Sequence, residues 1–313
     1  MKYTILKKSN LKVSVIGLGT NAVGGHNLFQ NLNEEDGKDL VREALKNGVN
    51  FIDTADIYGL GRSEELVGEV LKEIKRDDYL IATKGAQHWF EDGTVKTDNR
   101  PEYMREAVEK SLQRLQLDYI DLYYLHFPDQ KTPLSESIGE LARLKEEGKI
   151  RAIGISNVSL EHLKEANVHG NISVLQSHYS MLDRSAEEEL LPYCIDNNIS
   201  FIPYGPLAFG LLGGGFTKES TLDAQDWRNS VPLFQGELFQ KNLLTIEKLK
   251  EFATQKETTL PNLALAWLLA QEGVDAVIPG GRRKERILEN IQANEIRLSS
   301  EELNVINDIL SKN

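Results

Sequence analysis

Four polar side chains stand where short apolar runs end. Asp53 closes the run 50–53 and leads into Thr54-Ala55-Asp56-Ile57-Tyr58-Gly59, Lys84 follows Ala82-Thr83, and His126 follows Tyr124-Leu125. Each alone has a plain role: Asp53 as a cap or turn former, Lys84 as a solvated strand end, Tyr58 as a rim aromatic, His126 as a satisfied structural residue. Together they describe a proton-transfer site. A lysine buried at a strand end is costly unless paired, and Asp53 is the carboxylate placed to pair it. Tyr58 beside that ammonium is expected to have its hydroxyl pKa lowered from about 10, which makes it a usable general acid. His126 supplies a second polar group to orient a carbonyl oxygen.

These residues can meet only if the strands they end are neighbours. Short β-branched runs at 13–18, 50–53, 79–83, 119–125, 152–155, 174–176, 200–203 and 276–278 alternate with charged segments of helical period. The clearest helix is 101–115, with Pro101 in its first turn and Met104, Ala107, Val108, Ser111, Leu112 and Leu115 on one face. Segments 34–47 and 63–74 read the same way, and Gly48 and Gly148 fall where helix C-caps belong. Strands separated by helices are parallel, and eight such units close into a (β/α)8 TIM barrel whose chemistry sits at the C-terminal strand ends. Adjacent strands lie about 4.8 Å apart, so the ends of strands two, three and four converge on one small site. A doubly wound open sheet is the alternative, but Gly17-Leu18-Gly19-Thr20-Asn21-Ala22 lacks the third glycine of its fingerprint. Segments 3–6 and 11–13 read as an N-terminal β-hairpin able to plug the barrel's bottom. The long stretch 211–242, with Gly213-Gly214-Gly215, is a candidate lid. The whole chain, 1–313, reads as one barrel domain with extra helices.

Composition bounds the rest. With 40% apolar and 27% charged residues the chain can bury a large core. Its longest apolar stretches, such as 263–270, fall short of the roughly 20 residues a membrane span needs, and residues 1–9 lack a secretory apolar block. The net charge of −12 argues against nucleic-acid binding. Cys194 is the single cysteine, which fits a cytoplasmic location and reads as a core residue rather than a catalyst. His26, His88, His126, His162, His169 and His178 are dispersed, without the paired spacing of a zinc site, so no metal is expected.

The motifs resemble those of the aldo-keto reductases. The resemblance spans essentially the whole chain and rests on residues 50–59, Gly68, Ala82-Thr83-Lys84, Leu125-His126-Phe127-Pro128, Ile153-Gly154-Ile155-Ser156-Asn157, Gln176, Tyr204-Gly205-Pro206-Leu207 with Gly210-Leu211-Leu212, and Ile278-Pro279-Gly280-Gly281. In style it is similar to bacterial members, including those linked to inositol catabolism and general stress. It implies Tyr58 as general acid/base, Lys84 as its tuner, Asp53 as the partner of Lys84 and His126 as the orienting group. It further implies a nicotinamide cofactor, NADP(H) ahead of NAD(H). Thr20, Ser156, Asn157 and Gln176 would lie by the nicotinamide, Tyr204 would stack on it, and Gly205, Pro206, Leu207, Gly210 and Leu211 would approach the pyrophosphate. Gly280, Gly281, Arg282, Arg283, Arg286 and Asn290 would hold the adenosine and its 2′-phosphate, with Arg286 favoured because it shares a helical face with Asn290.

The plainer role of Ser156-Asn157 is an N-cap for the helix that follows, and that of the run Arg282-Arg283-Lys284-Glu285-Arg286 is a solvated face. Trp89, Phe127 and the loop 209–236 would shape a pocket for a small carbonyl or alcohol. Two other functions fit the same barrel: a cofactor-binding regulatory subunit with slow catalysis, and an isomerase or metal-dependent hydrolase, the last disfavoured by the missing phosphate loop and metal ligands.

Overall fold

Polar and apolar residues alternate through Tyr3–Ile5 (β1) and Lys12–Ser14 (β2), which pair antiparallel with Tyr3 opposite Ser14 in the computed structural model. The structure describes residues 1–90, 92–217, 220–224 and 226–311. Leu6, Leu11 and Val13 of this hairpin pack with Phe51, Ala82, Leu122, Ala152, Val174, Ile202 and Ala276, so the hairpin does plug the barrel. Asn50 fastens it to the second strand by accepting from the Ser14 N–H at 2.7 Å.

The barrel strands and their helices follow in order. They are β3 (Leu18–Gly19), α1 (Glu34–Lys46), β4 (Phe51–Asp53), α2 (Arg62–Leu71) and β5 (Leu80–Gly85). An antiparallel pair, β6 (Gln87–Trp89) and β7 (Val95–Thr97), precedes α3 (Pro101–Leu115). Then come β8 (Ile120–Leu125), α4 (Leu134–Glu146), β9 (Ile150–Ser156), α5 (Leu160–Ala166), β10 (Ile172–His178), α6 (Leu190–Asp196) and β11 (Ser200–Tyr204). The last helices are α7 (Gly236–Gln255), α8 (Leu260–Leu269), α9 (Lys284–Asn290) and α10 (Ser300–Ser311).

Seven strands form one parallel sheet in the order β11-β10-β9-β8-β5-β4-β3. Residues 274–280 are the eighth. They bridge Phe201 on one side and Ile16 and Gly19 on the other, so the sheet closes on itself as a (β/α)8 barrel. Pro279 has no N–H to give, and the contacts here remain isolated bridges, such as Val277 N–H to Val15 O at 2.9 Å, rather than a continuous ladder. Inward residues fill the barrel's interior, while Leu40, Val67, Met104, Leu141, Leu163 and Leu265 stitch the helix layer to the sheet's outer face. Burial pushes the Cys194 thiol up to about 12, as suits a core residue.

Several expected boundaries move. The first strand is not 13–18: Val13 and Ser14 belong to the hairpin, Ser14 Oγ donates to the Ile16 carbonyl, and only Leu18–Gly19 forms a ladder in the sheet, with Ile16 adding an isolated bridge to Val277. The second helix begins at Arg62 and ends at Leu71 rather than Ile74. Gly48 and Gly148 do follow helix ends, at φ of 83° and 79°. The loop expected to run to Asn242 stops at Gly236, where α7 begins and turns Asn242, Leu243, Ile246 and Leu249 inward. Within that loop residues 218, 219 and 225 lie outside the described residues.

Candidate active site

Alternation along the strands decides which residues face the barrel axis. In register, Asp53 lies opposite Ala82, Lys84 opposite Tyr124, Tyr124 opposite Gly154, and Ser156 opposite Gln176. Asp53, Lys84, Ser156 and Gln176 thus crown an apolar interior, all buried. Tyr124 is the floor beneath them. A methyl group on Gly154 would sit 2.2 Å from the Tyr124 ring, so glycine is required where that ring crosses the barrel.

The Lys84 ammonium donates to Asp53 Oδ1 at 2.5 Å and to the Thr54 carbonyl at 2.7 Å, and it lies 5.3 Å from the centroid of the Tyr58 ring. Gln176 Nε2 donates to the other Asp53 oxygen at 2.9 Å. Both carboxylate oxygens are therefore occupied. Burial opposes the charge on Lys84, but Asp53 and Tyr58 more than offset it and hold the amine above its ordinary range. Burial likewise raises the Tyr58 hydroxyl, with Lys84 pulling it down and Asp53 and Asp56 pushing it up. The expected lowering is thus corrected. Burial costs the phenolate of this half-buried residue more than one ammonium returns, and that ammonium is already engaged by Asp53 and Thr54.

His126 stands edge-on to Tyr58 with ring centroids 6.3 Å apart. Burial and then Lys84 hold its imidazole well below the usual 6.5, so the ring is neutral at pH 7, and its buried Nδ1 has no partner among the described residues. A neutral imidazole, a protonated phenol and a lysine meeting at one buried point can orient a carbonyl oxygen and give it a proton. Phe127, tilted against His126 with ring centroids 4.6 Å apart and 37% exposed, forms a lip of the opening. Trp89 lies in β6, with the Arg114 guanidinium 5.5 Å from its ring centroid, so one face of the indole is taken by the helix layer.

Around this point lie the residues expected to hold a cofactor. Ser159, not Ser156 or Asn157, caps α5. Asn157, at φ 56°, donates to the His126 carbonyl and accepts from the Tyr204 hydroxyl at 2.9 Å, which fixes the Tyr204 ring beside the site. The following loop holds four left-handed residues, Gly205, Ala208, Phe209 and Gly210, a strained run of the kind found where backbone serves a ligand. Pro206 and Leu211 are buried beneath it, and Leu207 is half-buried. Among the described residues, chain neighbours aside, no atom lies within 4 Å of a methyl group placed on Gly213, Gly214 or Gly215. Polar groups by the tetrad, an aromatic ring, a strained loop beside open space and three exposed arginines in turn suit an extended dinucleotide.

Two residues sit differently from expectation. Thr20 is fully buried and its hydroxyl donates to the Asp53 carbonyl at 2.9 Å, so it braces the strand end instead of presenting a donor to a cofactor. Arg286 is exposed and paired with Glu289 at 2.7 Å, whereas Asn290 is buried, so the shared helical face does not bring them to one point. Arg283 is exposed, and Arg282 lies 5.0 Å over the Phe29 ring. Gly280 bridges Gly19, and Gly281 packs against the Arg286 stem.

A supporting layer outside the strands has no counterpart in the sequence pattern. Glu64, wholly buried, accepts from Thr83 Oγ1 and Arg114 Nε, both at 2.6 Å, and so locks α2 and α3 to the third barrel strand. His178 was noted only as a dispersed histidine. It is held by Asp183 at 2.9 Å and stacks on Phe209 at 5.0 Å, supporting the strained loop from below. Trp227 meets Phe209 edge-on, and Arg228 donates to its carbonyl.

Comparison with known proteins matches residues 15–311 to the model of the Aldo/keto reductase family. The chain is 38% identical to the aldo-keto reductase YhdN of Bacillus subtilis (strain 168), covering 99% of this chain and 94% of that one. It is 37% identical to the NADH-specific methylglyoxal reductase of Escherichia coli (strain K12), covering 99% and 98%. Among solved structures it superposes on a glycerol dehydrogenase from Gluconobacter oxydans with a TM-score of 0.92 at 34% identity, covering 99% and 95%.

Proposed function

The chain belongs to the aldo/keto reductase family, and we propose that it interconverts small aldehydes or ketones and their alcohols with NADP(H), using Tyr58, Lys84, Asp53 and His126. The observation that carries this reading is the Lys84 ammonium held by Asp53 at 2.5 Å and 5.3 Å from the Tyr58 ring centroid, beside a neutral His126 whose Nδ1 has no partner among the described residues. A bound nicotinamide cofactor supplies the hydride. Tyr58 keeps its proton until the carbonyl oxygen becomes basic, then donates it, and Lys84 stabilises the phenolate left behind. His126 orients the same oxygen, and Asp53 keeps Lys84 in place. Ser156, Asn157 and Gln176 Oε1 suit the cofactor's carboxamide, and Tyr204 its ring. The loop 205–211 suits its pyrophosphate, with Gly280, Gly281 and Asn290 toward its adenosine.

Small substrates are supported by two relatives, one a methylglyoxal reductase and the other a glycerol dehydrogenase. Preference for NADP(H) is supported by exposed Arg282, Arg283 and Arg286 following the eighth strand, since guanidinium forks match phosphate geometry. The NADH-specific relative shows that the family also admits NAD(H). A cytoplasmic enzyme acting as one barrel domain is consistent with a single buried cysteine and with no helix, among the described residues, long and apolar enough to cross a membrane. The test is turnover of NADPH and NADH, followed by absorbance, across small aldehydes, ketones and polyols. Turnover is expected with at least one small aldehyde; cofactor binding without turnover on any of them would favour a regulatory subunit.

A further inference from the structure

The turn that carries Tyr58 is gripped from outside by the loop after the first barrel strand. Asn27 Nδ2 donates to the Ile57 carbonyl at 3.0 Å, and its Oδ1 accepts from the Gly59 N–H at 2.7 Å. One amide side chain thus holds the backbone on both sides of Tyr58. Next to it, Gly24 and Gly59 approach so closely that a methyl group on Gly59 would lie 1.9 Å from the Gly24 carbonyl oxygen. The turn's own backbone bonds are long, with Tyr58 N–H to Ala55 O, Leu60 N–H to Ile57 O and Arg62 N–H to Gly59 O all at 3.2 Å. Bonds at that end of the range hold a turn weakly.

Asn27 is exposed, and an exposed amide on a loose loop would hold nothing. This loop is fixed at two points. Glu34, at the start of α1, receives Arg62 through two bonds of 2.9 and 2.7 Å and meets His26 at 3.0 Å, while Phe29 lies under the Arg282 guanidinium. Resting on the reading that Tyr58 is the proton donor, we infer that Asn27 is a positioning residue for the reaction: by clamping residues 57 and 59 it sets where the phenol sits between Lys84 and His126. A misplacement of about 1 Å in reacting groups can cost about a hundredfold in rate. That makes a residue outside the pocket matter to the chemical step.

The experiment compares wild type, Asn27→Ala, Asn27→Asp and Tyr58→Phe in single-turnover reduction of a small aldehyde by pre-bound cofactor, with cofactor affinity, melting temperature and the solvent deuterium isotope effect measured alongside. Asn27→Ala is expected to slow the step about ten- to a hundredfold and to raise the isotope effect, with cofactor affinity within about twofold and the melting temperature unchanged. Asn27→Asp keeps an acceptor for the Gly59 N–H and should recover part of the rate. An Asn27→Ala protein with wild-type rate and isotope effect, beside an inactive Tyr58→Phe, would overturn the clamp alone. Wild-type turnover by Tyr58→Phe would instead remove the proton donor on which the clamp rests. A rate loss that follows a lowered melting temperature in both Asn27 variants, with no change in isotope effect, would make Asn27 structural and also overturn it.

Discussion

Lys84 carries the charge balance of the site, because buried Asp53, buried His126 and half-buried Tyr58 all answer to that one ammonium. Replacing it with methionine leaves Asp53 with only the Gln176 amide. We expect Lys84→Met to lose turnover and about 3 to 5 kcal/mol of stability, the usual cost of breaking a buried pair. Urea unfolding measures the second part, and an unchanged midpoint would show that Asp53 does not depend on Lys84. His126 has a pH consequence. Unfolded, its imidazole takes a proton near 6.5, and in the fold it does so only well below that. Between those values the unfolded chain binds more protons, so stability falls as pH drops from about 6.5. The decline in unfolding free energy from pH 7 to pH 5 should be shallower in His126→Asn, and equal slopes would contradict the depressed value. Asp53, Lys84 and His126 were legible in the sequence because each ends an apolar run, and a strand end fixes where a residue points. The direction of the Tyr58 shift was not, since it depends on depth of burial. Nor were the surroundings of Thr20 and Arg286, which turn on single side-chain contacts to Asp53 and Glu289.

Helix and strand periods carried most of the element-level reading, and they failed where an element has little pattern. α3 was legible to both ends because Pro101 opens it and its buried positions repeat at helical spacing. The pair β6 and β7 left no trace: three-residue strands with no fully buried residue bury too little to show alternation. α7 was hidden behind the glycine-rich and 3₁₀ segments before it. One glycine shows how closely the outer layer is packed. A methyl group on Gly68 would lie 2.7 Å from the Leu115 carbonyl oxygen and 2.9 Å from that of Arg114, both backbone atoms of α3. Gly68→Ala should gain up to about 1 kcal/mol from helix propensity but lose about 1 to 3 kcal/mol through forced separation of α2 and α3. The overpacking dominates, so the denaturation midpoint should fall with its slope unchanged. A higher midpoint would mean that the helices part without cost.

Closure of the barrel is what turns scattered residues into a site, because Asp53 and Gln176 are 123 positions apart in sequence and bonded in space. Alternation and the count of eight conveyed that closure. The bridges of the last strand, interrupted at Pro279, could not be read from the chain. The molecule's charge of −12 repels a phosphorylated cofactor at long range, so any preference for NADPH must come from the arginines after the eighth strand. We expect NADPH to bind about tenfold or more tightly than NADH, with a gap that narrows as salt rises. Arg282→Ala should erode it more than Arg286→Ala, since Arg286 must first leave Glu289. Equal affinities in the wild-type protein would contradict this assignment. In the proposed reaction these parts serve one event at Tyr58, delivery of a proton as hydride reaches the carbonyl carbon. Its most direct measurement is the single-turnover rate of aldehyde reduction with cofactor already bound, in wild type and in Tyr58→Phe. A proton donor at Tyr58 predicts a fall of about 10² to 10⁴ in that rate with cofactor affinity nearly intact, whereas a wild-type rate in the phenylalanine variant would contradict it.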